Sequence, residues 1–163
     1  GAFFGNRLAG SSQPATNAAL PLIAGTGASN EKLSMATGLI SSEVEGLWLL
    51  DHETGNLQCW VLSPRTGDVA GIFGTNTGAD LGLAKGKPEL VMSVGSFFFT
   101  GGKTGNQSPA NSICYVANTA TGAVAGYSLT VNRQLLTRGG AQEGALTRVC
   151  IGKVGQQAAT RDQ

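Results

Sequence analysis

Residues 48–62 read Trp48-Leu-Leu-Asp51-His52-Glu53-Thr54-Gly55-Asn-Leu-Gln-Cys59-Trp60-Val-Leu62, and residues 115–129 read Tyr115-Val-Ala-Asn118-Thr119-Ala120-Thr121-Gly122-Ala-Val-Ala-Gly-Tyr127-Ser-Leu129. At a constant offset of 67, Trp48 meets Tyr115, Asp51 meets Asn118, Thr54 meets Thr121, Gly55 meets Gly122, Trp60 meets Tyr127 and Leu62 meets Leu129. In each segment two runs of aliphatic and aromatic residues flank a short polar cluster, which is the pattern of a β-hairpin. The clusters carry turn chemistry: Asp51 or Asn118 can accept hydrogen bonds from backbone N–H groups just ahead, and Gly55 or Gly122 can take the positive φ of a tight connection. Turn-forming roles therefore fall to Asp51, Gly55, Asn118 and Gly122. The same local geometry is written twice, so the chain is built on an internal repeat.

Working outward, Leu33-Ser-Met-Ala-Thr-Gly38 matches Leu90-Val-Met-Ser-Val-Gly95 at an offset of 57. The difference of ten residues between the two offsets places an insertion at about 100–110, where Thr100-Gly-Gly-Lys-Thr-Gly-Asn-Gln-Ser-Pro-Ala110 reads as a protruding loop. A further strand is expected after each hairpin, near 69–75 and 146–151. The expected fold class is all-β, with two copies of a three-to-four-stranded antiparallel unit, arranged like propeller blades or closed as a sandwich or barrel. Repeat 1 spans about 31–88 and repeat 2 about 89–155, followed by a tail at 156–163. Residues 1–30 are rich in Gly, Ala and Ser and lack the periodicity to fold alone. They are expected to form an extended N-terminal arm, whose Phe3, Phe4, Leu8, Leu20, Leu22 and Ile23 need a partner surface to leave water.

The 163 residues suit one domain. With 25 Gly and only 13% charged residues the chain is small-residue-rich and weakly charged, a balance that favours association over mutual repulsion. A net charge of +1, with Lys and Arg scattered singly, offers no basic stripe for phosphates, so no nucleic-acid partner is expected. The opening Gly1-Ala-Phe3-Phe4-Gly-Asn-Arg-Leu8-Ala-Gly10 reads like the end of an apolar export segment, the one expected point of membrane contact. Export to the periplasm, cell surface or medium follows from that reading.

Catalytic patterns do not assemble. Gly102-Lys103-Thr104 lacks the upstream glycine of a phosphate-binding loop, since position 97 is Phe97, and Gly25-Thr-Gly27 lacks the flanking strand and helix of a dinucleotide fold. No nucleotide or other cofactor is expected. His52 is the single histidine, and the copy of Asp51-His52-Glu53 is the uncharged Asn118-Thr119-Ala120, which points to turn structure rather than acid–base work. Cys59, Cys114 and Cys150 allow at most one internal disulfide, in any of three pairings, and are too dispersed for a zinc site. Trp48, Trp60, Tyr115 and Tyr127 recur at equivalent places, as core pairs or, alternatively, as platforms for sugar rings.

The run Gly46-Leu-Trp48-Leu-Leu-Asp51-His-Glu-Thr54-Gly55-Asn-Leu-Gln-Cys-Trp60 resembles a quinoprotein-type β-propeller blade, in which an aromatic strand leads to Asp, a Thr-Gly turn and a closing Trp. The resemblance implies a hairpin and no activity, and two blades cannot close a ring alone. The pattern of Glu31-Lys-Leu-Ser-Met-Ala-Thr-Gly38, Val91-Met-Ser-Val-Gly95 and Tyr115-Val-Ala-Asn-Thr-Ala-Thr-Gly122 is similar to a family of uncharacterised exported planctomycete proteins, which likewise implies no activity. The expectation is a non-enzymatic exported structural subunit, its partner itself, in a homo-oligomer or filament whose arm contacts a neighbour. The alternative is a lectin-like module of oligomerised blades that binds cell-surface glycan.

Overall fold

A computed structural model describes residues 27–83 and 89–158. Strands take 54% and helices 8% of it, so the fold is all-β. Repeat 1 is an antiparallel meander of β2 (Leu33–Leu39), β3 (Glu45–Asp51), β4 (Asn56–Leu62) and β5 (Val69–Asn76), extended at one edge by β1 (Ala28–Ser29). A short connector with helix α1 (Gly78–Leu81) leads toward repeat 2, where β6 (Leu90–Ser96), β8 (Ser112–Asn118), β9 (Ala123–Ser128) and β12 (Thr147–Lys153) form a second four-stranded antiparallel sheet. The fourth strands expected near 69–75 and 146–151 are thus β5 and β12. Neither sheet closes on itself, so a closed barrel is not formed.

Two insertions distinguish the repeats. Between β6 and β8 the loop at 97–111 carries β7 (Gln107–Pro109), and between β9 and β12 lie β10 (Thr130–Asn132), helix α2 (Arg133–Arg138) and β11 (Gln142–Ala145). β7 and β10 pair with each other. β11 runs parallel to β5 and completes the outer edge of the first sheet, so repeat 2 reaches across repeat 1. This clasp is anchored by Leu129, Val131, Leu136 and Leu146, all buried. Asn132 caps α2 by accepting from the N–H groups of Gln134 and Leu135, and Gly139 ends the helix in the left-handed region.

Strand residues alternate between two faces. In the first sheet Trp48, Leu50, Leu57, Cys59 and Val61 share one face, here termed leading, and Leu47, Leu49, Gln58 and Trp60 share the other, termed trailing. By repeat equivalence the leading face of the second sheet bears Tyr115, Ala117, Val124 and Gly126, and its trailing face bears Cys114, Val116, Ala125 and Tyr127. The core joins the leading face of the first sheet to the trailing face of the second: Trp48, Leu50, Leu57, Cys59 and Val61 pack in one cluster with Cys114, Val116, Ala125 and Tyr127. Contact across this seam is close. A Cβ at Gly38 would stand 2.5 Å from Val94 Cγ1 and 3.1 Å from Ser112 Oγ, so only glycine lets β2 approach the second sheet.

Equivalent residues therefore have opposite fates. Trp48 is 0% exposed whereas Tyr115 is only half-buried; Tyr127 is 1% exposed whereas Trp60 is half-buried. A sandwich related by a two-fold axis would bury both members of each pair. The repeats are instead stacked in the same sense, as consecutive blades.

Candidate functional site

The two hairpin turns are built alike, with one side-chain bond more in the first. Asp51 Oδ1 accepts from the N–H of Glu53 at 2.8 Å and of Thr54 at 3.3 Å, and Asn118 Oδ1 accepts from the N–H of Ala120 at 3.0 Å. Gly55, at φ 74°, donates to Asp51 O, and Gly122, at φ 76°, donates to Asn118 O. Thr54 Oγ1 and Thr121 Oγ1 each accept from the N–H two residues on. The Thr54 hydroxyl, with smaller help from the Glu53 and Thr54 amides and the nearby His52, holds the Asp51 carboxyl below the usual range against a small opposing effect of burial. Asn118 uses its spare amide differently: Nδ2 donates to Leu81 O at 2.9 Å and ties the hairpin of repeat 2 to the connector. A third turn of the same build joins β4 to β5, where Ser63 Oγ accepts from the N–H of Arg65 and Thr66 and Gly67 has φ 78°. Its signature Ser63-Pro-Arg-Thr66-Gly67 has the spacing of Asp51 to Gly55 and was legible in the sequence, although it was not read there.

Polar groups in the interior serve the seam. His52 is buried and its Nε2 lies 2.7 Å from Ser34 Oγ, a local pair with no counterpart at Val91 and Thr119 in repeat 2. Tyr127 donates its hydroxyl proton to Asp80 Oδ2 at 2.8 Å, and Arg148 donates to Asp80 Oδ1, so one carboxylate from α1 fastens β9 and β12 of the second sheet. Burial, and then the bond to Asp80, push the Tyr127 phenol well above its ordinary value. Asp80 was not singled out from sequence, where nothing marks it apart from other turn aspartates.

Cys59 and Cys114 are unpaired and buried on facing sides of the seam, their thiols pushed up by desolvation, while Cys150 is unpaired and exposed on β12. Low thiolate content makes the buried pair poor nucleophiles. Among the described residues no group of three or more His, Cys, Asp and Glu is placed to hold a metal ion.

The four aromatics weighed as a sugar platform are not brought together. Trp48 and Tyr127 lie in the core, Trp60 stands on the trailing face of the first sheet with its indole N–H donating to Gln58 Oε1, and Tyr115 stands on the leading face of the second. An open groove of about 490 Å³ lies between the insertion loop at Phe97–Gly102 and the ends of β9 and β12, lined by Phe97, Phe98, Pro109, Leu129 and Val149. The arm residues Phe3, Phe4, Leu8, Leu20, Leu22 and Ile23 lie outside the described residues. Ala28 and Ser29, at the end of the arm, pair with Met35 and Ser34.

The two outer sheet faces also carry apolar residues. An antiparallel sheet with one wet face normally alternates apolar and polar residues. β3 reads Glu45-Gly-Leu-Trp-Leu-Leu-Asp51 and β8 reads Ser112-Ile-Cys-Tyr-Val-Ala-Asn118, apolar on both sides of the sheet. On the trailing face of the first sheet Leu33, Met35 and Ile72 are exposed, with Leu47, Leu49 and Trp60 half-buried beside them. On the leading face of the second, Val91, Ser93 and Cys150 are exposed, with Tyr115, Ala117 and Val124 half-buried. Compared with known proteins, the chain matches no family model, no curated protein and no solved structure.

Proposed function

We propose that the protein is a non-enzymatic, exported structural subunit that associates with further copies of itself into a homo-oligomer or filament. The observation that carries this reading is the pair of outer sheet faces, each apolar where a solvated face would alternate and each left open by the described residues. The low charge supports it, since a net charge of +1 sets up little repulsion between copies. The apolar residues of the arm at 1–30 add a second surface, long enough when extended to cross a neighbouring domain at about 3.3–3.6 Å per residue. A glycan-binding module built on Trp48, Trp60, Tyr115 and Tyr127 finds less support, because two of the four are enclosed and the others lie on opposite faces.

Mass photometry of the native chain over nanomolar to micromolar concentration tests the proposal. Species heavier than the 16.5 kDa chain are expected to grow with concentration. A single monomeric species throughout would refute self-association.

A further inference from the structure

Three features outside the turns invite a function: the aromatic groove beside Phe97, the Asp80–Tyr127–Arg148 cluster, and the two open sheet faces. The groove holds no charged side chain, only the hydroxyls of Thr100, Ser128, Thr130 and Thr147, of which Ser128 already donates to Ser112 O, and the cluster is consumed in fastening α1 to the second sheet. The open faces go further, because the chain itself contains an example of how such faces are covered.

We infer that the leading face of the second sheet receives the trailing face of the first sheet of a second copy, repeating between chains the seam that joins the two sheets within one. This rests on the self-association reading and specifies its geometry. Residues across the open leading face are the repeat equivalents of residues that the internal seam buries: Val91 and Ser93 correspond to Ser34 and Ala36, both 5% exposed, and Tyr115 corresponds to Trp48 at 0%. The open trailing face corresponds in the same way to the buried trailing face of the second sheet, Leu49 to Val116 and Trp60 to Tyr127.

Side-chain size supports the match. In the internal seam the leading face supplies the larger groups, Leu50, Leu57 and Cys59, and the trailing face supplies Val116, Cys114 and Ala125. At the open faces the sizes invert together. The leading face carries Ala117, Val124 and Gly126, while the trailing face carries Leu49, Leu47 and Gln58. Each seam also has one aromatic on either side, Trp48 and Tyr127 in the internal one and Tyr115 and Trp60 at the open faces; at the aliphatic positions the larger side changes over, so the volume lost on one side is returned on the other, as close packing requires. The trailing face packed on another trailing face would oppose large to large, which disfavours a two-fold dimer through that surface.

A head-to-tail contact uses two different patches and leaves one of each free at the ends, so it closes into a ring or runs on as a filament. Each chain supplies two stacked sheets, one of six strands and one of four, and rings of this kind hold about four to eight blades, so a closed assembly contains two to four copies.

The test uses two variants of the full chain, one for each face, placed at exposed positions so that the fold of the single chain is spared. Met35→Lys/Ile72→Lys alters the trailing face and Val91→Lys/Ser93→Lys the leading face, with circular dichroism and urea unfolding to verify that each is folded. Met35→Lys and Val91→Lys alone stand in if either double variant unfolds. By sedimentation velocity each variant is expected to be monomeric where the native chain assembles, and an equimolar mixture is expected to stop at the dimer, because one intact leading face then meets one intact trailing face. Loss of assembly in the trailing variant alone would overturn the head-to-tail contact in favour of a symmetric one. Assembly undiminished in both variants would overturn this interface while leaving self-association through another surface standing. A native chain that is monomeric throughout would overturn the proposed function and the inference together.

Discussion

Repeat 1 and repeat 2 share a hairpin with nearly the same turn bonds, yet their equivalent aromatic residues are buried in opposite order. Trp48 is enclosed and Tyr115 is half-open; Trp60 is half-open and Tyr127 is enclosed. Local sequence dictates the turn, because Asp51 or Asn118 bonds to amides within three residues and Gly55 or Gly122 bends the chain. Burial is dictated by what lies across each face, which in a same-sense stack differs between the first sheet and the last. Two identical units stacked in one direction cannot be equivalent until something covers their ends.

The largest expected effect probes that asymmetry directly. At concentrations that hold the chain monomeric, Trp48→Ala is expected to cost about 3–5 kcal/mol, as for a large aromatic removed from a packed core. The equivalent Tyr115→Ala is expected to cost about 1 kcal/mol, as at a partly open site. For Tyr127→Ala and Trp60→Ala the ranking of the repeats reverses. Urea unfolding measures all four, and equal costs within each pair would break the comparison, since both members would then be in the core.

A smaller difference separates the turn glycines. An alanine at either position pays about 1–2 kcal/mol for the left-handed backbone. At Gly55 a Cβ would also stand 2.6 Å from Leu83 Cδ1 and 3.3 Å from Thr77 Oγ1, whereas at Gly122 the nearest atom is Val154 Cβ at 3.6 Å. Gly55→Ala is therefore expected to be the more destabilising by about 1 kcal/mol of packing strain. Urea midpoints that coincide would show that the hairpin tip of repeat 1 is as open as that of repeat 2.

The smallest effect concerns acid. The Thr54 hydroxyl and neighbouring amides lower the Asp51 carboxyl in the folded chain, so its contribution to stability is present above the ordinary carboxylate pKa of about 3.9 and is lost as pH falls through the lowered value. Asn118 has no such dependence. Asp51→Asn is expected to flatten the acid limb of the stability curve slightly, whereas Asn118→Asp would set a buried carboxylate against the Leu81 carbonyl that Asn118 now donates to, so its loss of stability is expected to be largest at neutral pH and to shrink as acid protonates it. An unchanged limb in Asp51→Asn would remove the carboxylate from the turn's energetics.

The hairpins, the four turn residues and the strand β5 were legible because each rests on contacts close in sequence, the insertion near 100–110 because two repeat offsets differ, and β12 because its own run of apolar residues marks a strand. The clasp was not. Gln142-Glu-Gly-Ala145 has none of the β-branched or aromatic residues that mark a strand, and it becomes β11 only because β5 offers it an open edge. The assignment of faces was equally hidden: β3 and β8 are apolar on both sides, so alternation could not say which aromatic of each pair would be enclosed. Treating Trp48, Trp60, Tyr115 and Tyr127 as one set followed from the repeat, and the stacking divides them. Asp80 joins Tyr127 and Arg148 from far away in sequence, beyond the reach of any local pattern.

Cys150 offers the most direct test that the second sheet's leading face is covered by another copy. Cys150 pairs with Gly126, its sulfur 2.6 Å from where a Cβ on that glycine would stand, on that face, and it is exposed, whereas Cys59 and Cys114 are enclosed. In Cys59→Ser/Cys114→Ser protein, checked for retained fold, the rate of alkylation at Cys150 is to be followed as concentration is raised through the range where mass increases. A fall in rate that tracks assembly is the expected result. A rate that stays constant while the mass rises would mean that copies join elsewhere and leave that face open.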